Sequence, residues 1–303
     1  MAKDHQLIVH DVLAENSDRP DCVPVFHCHW DNDDGATPSW ERKRSILPVE
    51  EPLCLEINGC NTAVLMRLPG NERELAVGFC LSEGLVQKLE DIKGIGPAVT
   101  GAGKESVNIQ VMTEDEPVFQ DLKLLLVRTG PGCSRWERKS VAAQLPHCDS
   151  DLTVSFATLS RVHERLAGQQ KMKHISGGLH ASMLLDERGN KLFVYEDVGR
   201  HNAMDKVIGR ALLDALPLRD KIIFNTGRTS YEMVAKAARC NIPVIVSLSS
   251  PTSLAVRLAS CCGLTILGYA SHSRAVVYSC PERIAEISGS DYTATVRDRD
   301  YAS

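Results

Sequence analysis

From about residue 175 the chain alternates short β-rich runs with helical patterns, and this alternation constrains the fold more than any other feature. Leu192-Phe193-Val194-Tyr195 leads into a helix pattern carried by Ala203, Met204, Val207, Ile208, Ala211 and Leu212. Ile222-Ile223-Phe224 leads into residues 231–240, and Pro243-Val244-Ile245-Val246 into residues 251–262. Leu264-Thr265-Ile266-Leu267 follows. Strand–helix units repeated in this way imply crossover connections and a mainly parallel sheet. The expected fold class is α/β for this half and α+β overall.

The first half reads differently. Residues 1–45 are polar, with Asp31-Asn32-Asp33-Asp34-Gly35 and few periodic apolar positions, and are expected to form an irregular extension. Leu53 to Ile57, then Asn58-Gly59, then Ala63 to Met66 predict a β-hairpin, because Asn-Gly accepts the positive φ angles of a tight turn. A helix is predicted after Pro69-Gly70-Asn71, with Leu75, Val77, Phe79 and Leu81 apolar and Gly84 as its stop. Residues 107–111 alternate as a strand does, and Ser155 opens a helix with Phe156, Leu159, Val162 and Leu166 on one face. The expected division is an extension over 1–45, a small mixed domain over 46–150 ending in a hinge near 128–150, and an α/β domain over 151–303.

Charge and cysteine usage narrow the function classes. Across 303 residues, 34 Lys and Arg face 39 Asp and Glu, a net charge of −5. That balance argues against a partner that is nucleic acid or an anionic membrane. No apolar run reaches spanning length, and Met1-Ala2-Lys3-Asp4-His5 opens no secretory signal, so a cytoplasmic location is expected. The 11 cysteines are odd in number and follow no framework of spacings, which reads as reduced thiols. His27-Cys28-His29 with Cys22 upstream fits no standard zinc spacing. A zinc deaminase needs His-x-Glu and Pro-Cys-x-x-Cys, but Ser182 stands two residues after His180 and no Cys-x-x-Cys occurs. No resident metal is expected.

Three successive strand-to-helix junctions are unusually polar: residues 196–202, 225–230 and 247–253. In a parallel sheet they lie together at the carboxyl ends of the strands, where open α/β sheets bind ligands. Helix N-termini, hydroxyls and the side chains of Arg200 and Arg228 favour an anion, typically phosphate or pyrophosphate. Ser and Thr acting simply as helix caps explain one such junction but not three. Asp197, Arg200, His201, Thr226, Gly227, Arg228 and Ser230 are therefore candidate binding residues. His180 joins them because Ser176-Gly177-Gly178 before it lets backbone approach a ligand closely.

Cys133 is the candidate nucleophile. It sits in Arg128-Thr129-Gly130-Pro131-Gly132-Cys133-Ser134-Arg135-Trp136, a loop-type sequence. Arg128, Arg135, Arg138 and Lys139 surround it, opposed by Glu137, and nearby cations favour the reactive thiolate.

Several stretches resemble one family. They are Glu51-Pro52-Leu53 with Asn58-Gly59, residues 76–84, Glu196 through Lys206, Arg228 through Met233, and Gly268-Tyr269 through Arg274. In order and wording they are similar to the formate dehydrogenase accessory sulfurtransferases, the FdhD/NarQ family, from about residue 46 to 285. The resemblance implies a small N-terminal domain and a cytidine-deaminase-like α/β domain without zinc. It also implies a sulfur carrier that takes persulfide sulfur from a cysteine desulfurase. That sulfur passes to the molybdenum bis(molybdopterin guanine dinucleotide) cofactor destined for formate dehydrogenase. A homodimer is implied as well. The family's cofactor-binding stretch maps onto Tyr269, Ala270, Ser271, His272, Ser273 and Arg274, and its Gly-Gly-x-His motif onto Gly177, Gly178 and His180.

One departure stands out. The family carries Cys-Gly-x-Cys after Thr-Gly, whereas Pro131-Gly132-Cys133-Ser134 follows Thr129-Gly130 here. Pro131 and Ser134 occupy the two cysteine places, with Cys133 between them. The alternatives are a sulfurtransferase working through Cys133 alone and a non-catalytic chaperone that holds the dinucleotide. An unrelated nucleotide-binding hydrolase is the weakest reading, since no base–nucleophile pair is evident in the sequence.

Overall fold

The computed structural model describes residues 21–29, 39–58, 60–99, 105–111, 145–166 and 168–288. Cys133 and the residues around it lie outside the described residues. Strands β1 (Asp21–His29) and β2 (Ser39–Leu47) pair antiparallel along their whole length. This part of the chain, expected to be irregular, is therefore a β-ribbon. Its apolar residues are few, but Phe26 meets Trp40 edge-to-face at 5.4 Å across the two strands, a pairing that helps hold a short ribbon together.

The next four strands form a sheet in the order β4-β3-β6-β5. They are β3 (Glu51–Ile57), β4 (Cys60–Arg67), β5 (Ile92–Val99) and β6 (Glu105–Val111). The Asn-Gly hairpin is present as β3–β4, and Asn58 takes the positive φ of 51° that the turn requires. Helix α1 (Glu72–Ser82) follows β4 and buries Leu75 through Ser82.

Helices α2 (Phe156–Leu166) and α3 (Lys171–Ser176) lead into β7 (His180–Leu185) and β8 (Lys191–Asp197). Then come α4 (Arg200–Leu213), β9 (Ile222–Asn225), α5 (Tyr231–Arg239), β10 (Val244–Ser247), α6 (Ser253–Cys262), β11 (Thr265–Gly268) and β12 (Val276–Ser279). These strands form a six-stranded sheet in the order β12-β11-β10-β9-β7-β8. The fold is mixed α/β with segregated sheets.

The sheet is parallel only across β9, β10 and β11, which corrects the expected mainly parallel arrangement. β7, β8 and β12 run antiparallel to their neighbours. The reason is the length of the connections. β7 and β8 are joined by residues 186–190, where Asp186 accepts from the N–H groups of Arg188 and Asn190 and Gly189 takes φ +72°. A turn of that size reverses the chain and leaves no room for a crossover helix.

One apolar cluster spans the expected domain boundary. Leu55 and Ile57 of β3 and Phe79 and Cys80 of α1 pack with Met204, Val207 and Ile208 of α4 and Met233 of α5. At the crossing of α1 and α4, Gly78 and Gly209 let the two backbones touch. A Cβ on Gly209 would lie 1.9 Å from the Glu74 carbonyl oxygen, and one on Gly78 would lie 1.8 Å from that of Asp205. Beside the crossing, Lys236 of α5 is buried with its Nζ 2.9 Å from Asp205 Oδ2 and 2.7 Å from Glu83 Oε1. Ser82 Oγ donates to Asp205 Oδ1 at 2.7 Å, so three helices share one closed polar network.

Candidate functional site

The site begins where β8 gives way to α4. Asp197 ends the strand fully buried, and its carboxylate is taken up by internal donors. Oδ1 accepts from Gly199 N at 2.9 Å and Asn202 Nδ2 at 3.0 Å. Oδ2 accepts from Leu68 N at 3.2 Å and pairs with Lys206 Nζ at 2.8 Å. Lys206 also donates to Leu68 O, and Asn202 to Met66 O. Of the sequence-nominated residues, Asp197 is thus a scaffold residue. It sets the first turn of α4 against the end of β4 and aims Arg200 and His201.

Arg200, His180 and Gly227 meet at the next strand end. A Cβ on Gly227 would lie 3.0 Å from Arg200 Cδ and 3.1 Å from His180 Nδ1. His180 arrives from the amino end of β7, which lies there because β7 runs antiparallel to β9. Thr226 joins the two strands: its N–H donates to Ala181 O at 3.0 Å, and its Oγ1 accepts from Ala181 N at 2.9 Å. Arg228 stands exposed on the same turn. Burial, then the repulsion of Arg228, lower the pKa of the Arg200 guanidinium. Burial followed by Arg200 and Lys173 lowers that of His180. Cations gathered this way are complementary to an anion.

His201, one residue on, faces the start of α5. Its Nε2 lies 3.3 Å from Ser230 Oγ and 4.0 Å from Glu232 Oε2. Burial first, with Arg200 and Lys236 adding to it, lowers the imidazole pKa to about 4, so it is neutral at pH 7. The unfolded chain takes up this proton first, near the ordinary 6.5, so the stability linked to neutral His201 is fully present above pH 6.5 and is lost as pH falls toward 4. Urea unfolding at pH 7 and pH 5 should therefore show a loss of stability on acidification that is smaller in His201→Gln.

Neither α4, capped by Gly199, nor α5, capped by Ser230, receives a side-chain cap hydrogen bond, and the Ser230 hydroxyl faces His201 instead. Both helix starts therefore keep amide donors available for an anion. The third junction is different: Thr252 Oγ1 accepts from Ala255 N and caps α6 in the ordinary way. Ser247 is structural too, donating to Gly227 O at 2.7 Å and accepting from Ser249 N at 3.0 Å.

The Tyr269–Arg274 stretch is tied to the same end of the sheet. Tyr269 N donates to Ser249 O and Ala270 N to Ser247 O, at 3.2 and 3.0 Å. Ser271 closes a turn with Arg274 through its N–H and Oγ. Tyr269, His272, Ser273 and Arg274 are exposed there. Gly177 and Gly178 both take positive φ, 68° and 65°, just before β7. Two contributors escaped the sequence reading, Lys173 beside His180 and Glu232 beside His201. Position i+2 from the Ser230 cap was the available signal for Glu232.

Among the described residues, no group of three or more His, Cys, Asp and Glu is arranged to hold a metal ion. No helix among them is long and apolar enough to cross a membrane. Burial pushes the Cys80 thiol up to about 12 and Cys280 up to about 11, and it raises Cys148, Cys240 and Cys262 as well. These five are held as neutral thiols, the unreactive form.

The FdhD/NarQ family model matches residues 48–285. The chain belongs to that family. It is 37% identical over 245 residues to the sulfur carrier protein FdhD of Saccharolobus solfataricus, covering 78% of this chain and 90% of that one. It is 38% identical over 251 residues to the sulfur carrier protein FdhD of Streptomyces coelicolor, covering 79% and 89%. Among solved structures it is similar to one from Desulfotalea psychrophila described as a formate dehydrogenase accessory protein. That match has a TM-score of 0.66 and 25% identity, and covers 88% of this chain and all of the other. The ribbon β1–β2 of this family member lies ahead of the matched residues.

Proposed function

We propose that this FdhD/NarQ family member is a cytoplasmic sulfur carrier for formate dehydrogenase. It takes persulfide sulfur from a cysteine desulfurase and passes it to the molybdenum bis(molybdopterin guanine dinucleotide) cofactor, its cargo. Cys133, in its basic loop, is the carrier. Its thiolate attacks the terminal sulfur of the desulfurase persulfide, the S–S bond of the donor breaks, and the desulfurase cysteine leaves as thiolate. Arg128 and Arg135 favour the attacking thiolate. The names of the relatives support this reading, and five of the remaining cysteines are disfavoured by burial. A homodimer fits the same reading.

The observation that carries the binding half is the convergence of Arg200, Arg228 and His180 on Gly227 beneath two helix starts without side-chain caps. Such a cradle suits the diphosphate of a guanine nucleotide, with Arg274 on the neighbouring turn as a further partner. Each charge-assisted contact contributes roughly 1.5–3 kcal/mol. Calorimetry with GDP should therefore show Arg228→Ala weakened about tenfold or more. Unchanged affinity removes Arg228 from the site. The Pro131/Ser134 departure from the family's cysteine pair favours a second reading, a chaperone that holds the dinucleotide without moving sulfur.

A further inference from the structure

Ten buried side-chain nitrogen and oxygen atoms of the described residues have no hydrogen-bond partner, and five of them gather under this site. They are Ser182 Oγ, Arg200 Nε, both amide atoms of Asn225, and Thr229 Oγ1. Asn225 is 1% exposed, and Ser182 and Thr229 are fully buried.

The strand register explains the gathering. Ser182 on β7 stands opposite Asn225 on β9, which stands opposite Ser247 on β10. Along each strand these residues alternate with Met183, Phe224 and Val246, which pack on the face covered by Val162 of α2. They share instead the face of Leu184, Ile223 and Ile245, which pack toward Met204 of α4 and Met233 of α5. The row therefore points to where α4 and α5 begin and where His201 meets Ser230. Ser247 has its partners in Gly227 and Ser249, whereas the Asn225 amide has none. Burying an amide unpaired is unfavourable, and a leucine of similar size suits the position better unless something pairs the amide.

We infer that Asn225 reads the ring of the bound ligand. Its Nδ2 donates to a ring carbonyl and its Oδ1 accepts from the adjacent ring N–H, the lactam edge that guanine and pterin rings share. The hydroxyls of Ser182 and Thr229 flank it and serve as donor or acceptor as the ring requires. At the β10 end of the row Ser247 donates to Gly227 O, so the Thr226–Ser230 turn borders the row, and the ring enters as that turn shifts. This inference rests on the nucleotide-binding reading above and adds to it the residue that recognises the ring, separate from the cations that hold phosphate.

Calorimetry on the full chain with GDP, neopterin and pyrophosphate tests it. Asn225→Leu and the equal-sized Asn225→Asp should lose about tenfold or more in affinity for a ring ligand, with pyrophosphate binding unchanged within about twofold. Loss for GDP alone assigns guanine to this row, and loss for neopterin alone assigns the pterin. Without ligand, Asn225→Leu should melt no lower than the parent chain, because it removes an unpaired amide. A midpoint lower by several degrees means that the amide is paired inside the fold and overturns the inference. Ring-ligand affinities unchanged in both variants overturn it as well and leave the nucleotide-binding reading standing. If the parent chain binds neither GDP nor pyrophosphate, that reading falls first and this one with it.

Discussion

Cys133→Ala should abolish rescue of formate dehydrogenase activity in a strain that lacks its own accessory protein, while GDP affinity stays within about twofold. A transferred sulfur needs a thiolate to carry it, and alanine removes that atom while Arg200, Arg228 and His180, the residues proposed to hold phosphate, are all kept. Mass spectrometry after incubation with a cysteine desulfurase and cysteine should place the added sulfur on Cys133 among the 11 cysteines. Equal rescue by the parent chain and by Cys133→Ala sinks the carrier role and leaves cofactor holding as the function. If the parent chain itself fails to rescue, Pro131→Cys with Ser134→Cys restores the family's cysteine pair. Rescue by that double variant identifies the loop as the defect.

Gly209→Ala should destabilise the fold by about 3 kcal/mol or more, because overpacking against backbone has no side chain to yield. The added Cβ would sit 1.9 Å from the Glu74 carbonyl oxygen and 2.7 Å from Gly78 N, so α1 and α4 must separate. For a chain of this size the melting midpoint falls by roughly 6 °C or more. Helix propensity alone argues the other way, since alanine in a helix is favoured over glycine by about 1 kcal/mol. Thermal unfolding therefore separates the two effects. A higher midpoint in Gly209→Ala rules out the close helix crossing. Separation of α1 from α4 also disturbs the Asp205–Lys236–Glu83 network beside it, so the loss should appear as cooperative unfolding of both halves.

Much of the architecture was legible in local sequence. Asn58-Gly59 dictated a hairpin, because few other dipeptides accept the required φ, and β3–β4 is that hairpin. The apolar spacing of α4 and α5 was readable because one face of each is buried in a single core cluster. The ribbon of β1 and β2 was not legible, since its strands are largely exposed and carry little apolar alternation. The antiparallel strand β7, which stands between β8 and β9, was not legible because its run of buried residues shows no alternation. Residues 186–190, a compact turn, were the missed signal.

The candidate site divides along the same line. Sequence by itself determined that polar strand-to-helix junctions follow β8 and β9 and carry Arg200, His201, Arg228 and Ser230, because a junction is a local event of a few residues. Only the tertiary structure decided which of these residues face one another. His180 reaches Gly227 because β7 runs antiparallel to β9, and residues 47 apart in sequence then share one strand end. Asp197 turned inward because the end of β4, 129 residues away, supplies the Leu68 N–H that its carboxylate accepts. Asn225 was left unpaired by the same assembly, since the helix starts above it bring no partner to its amide. Such pairings depend on distances between elements far apart in the chain, and no local pattern of residues encodes them.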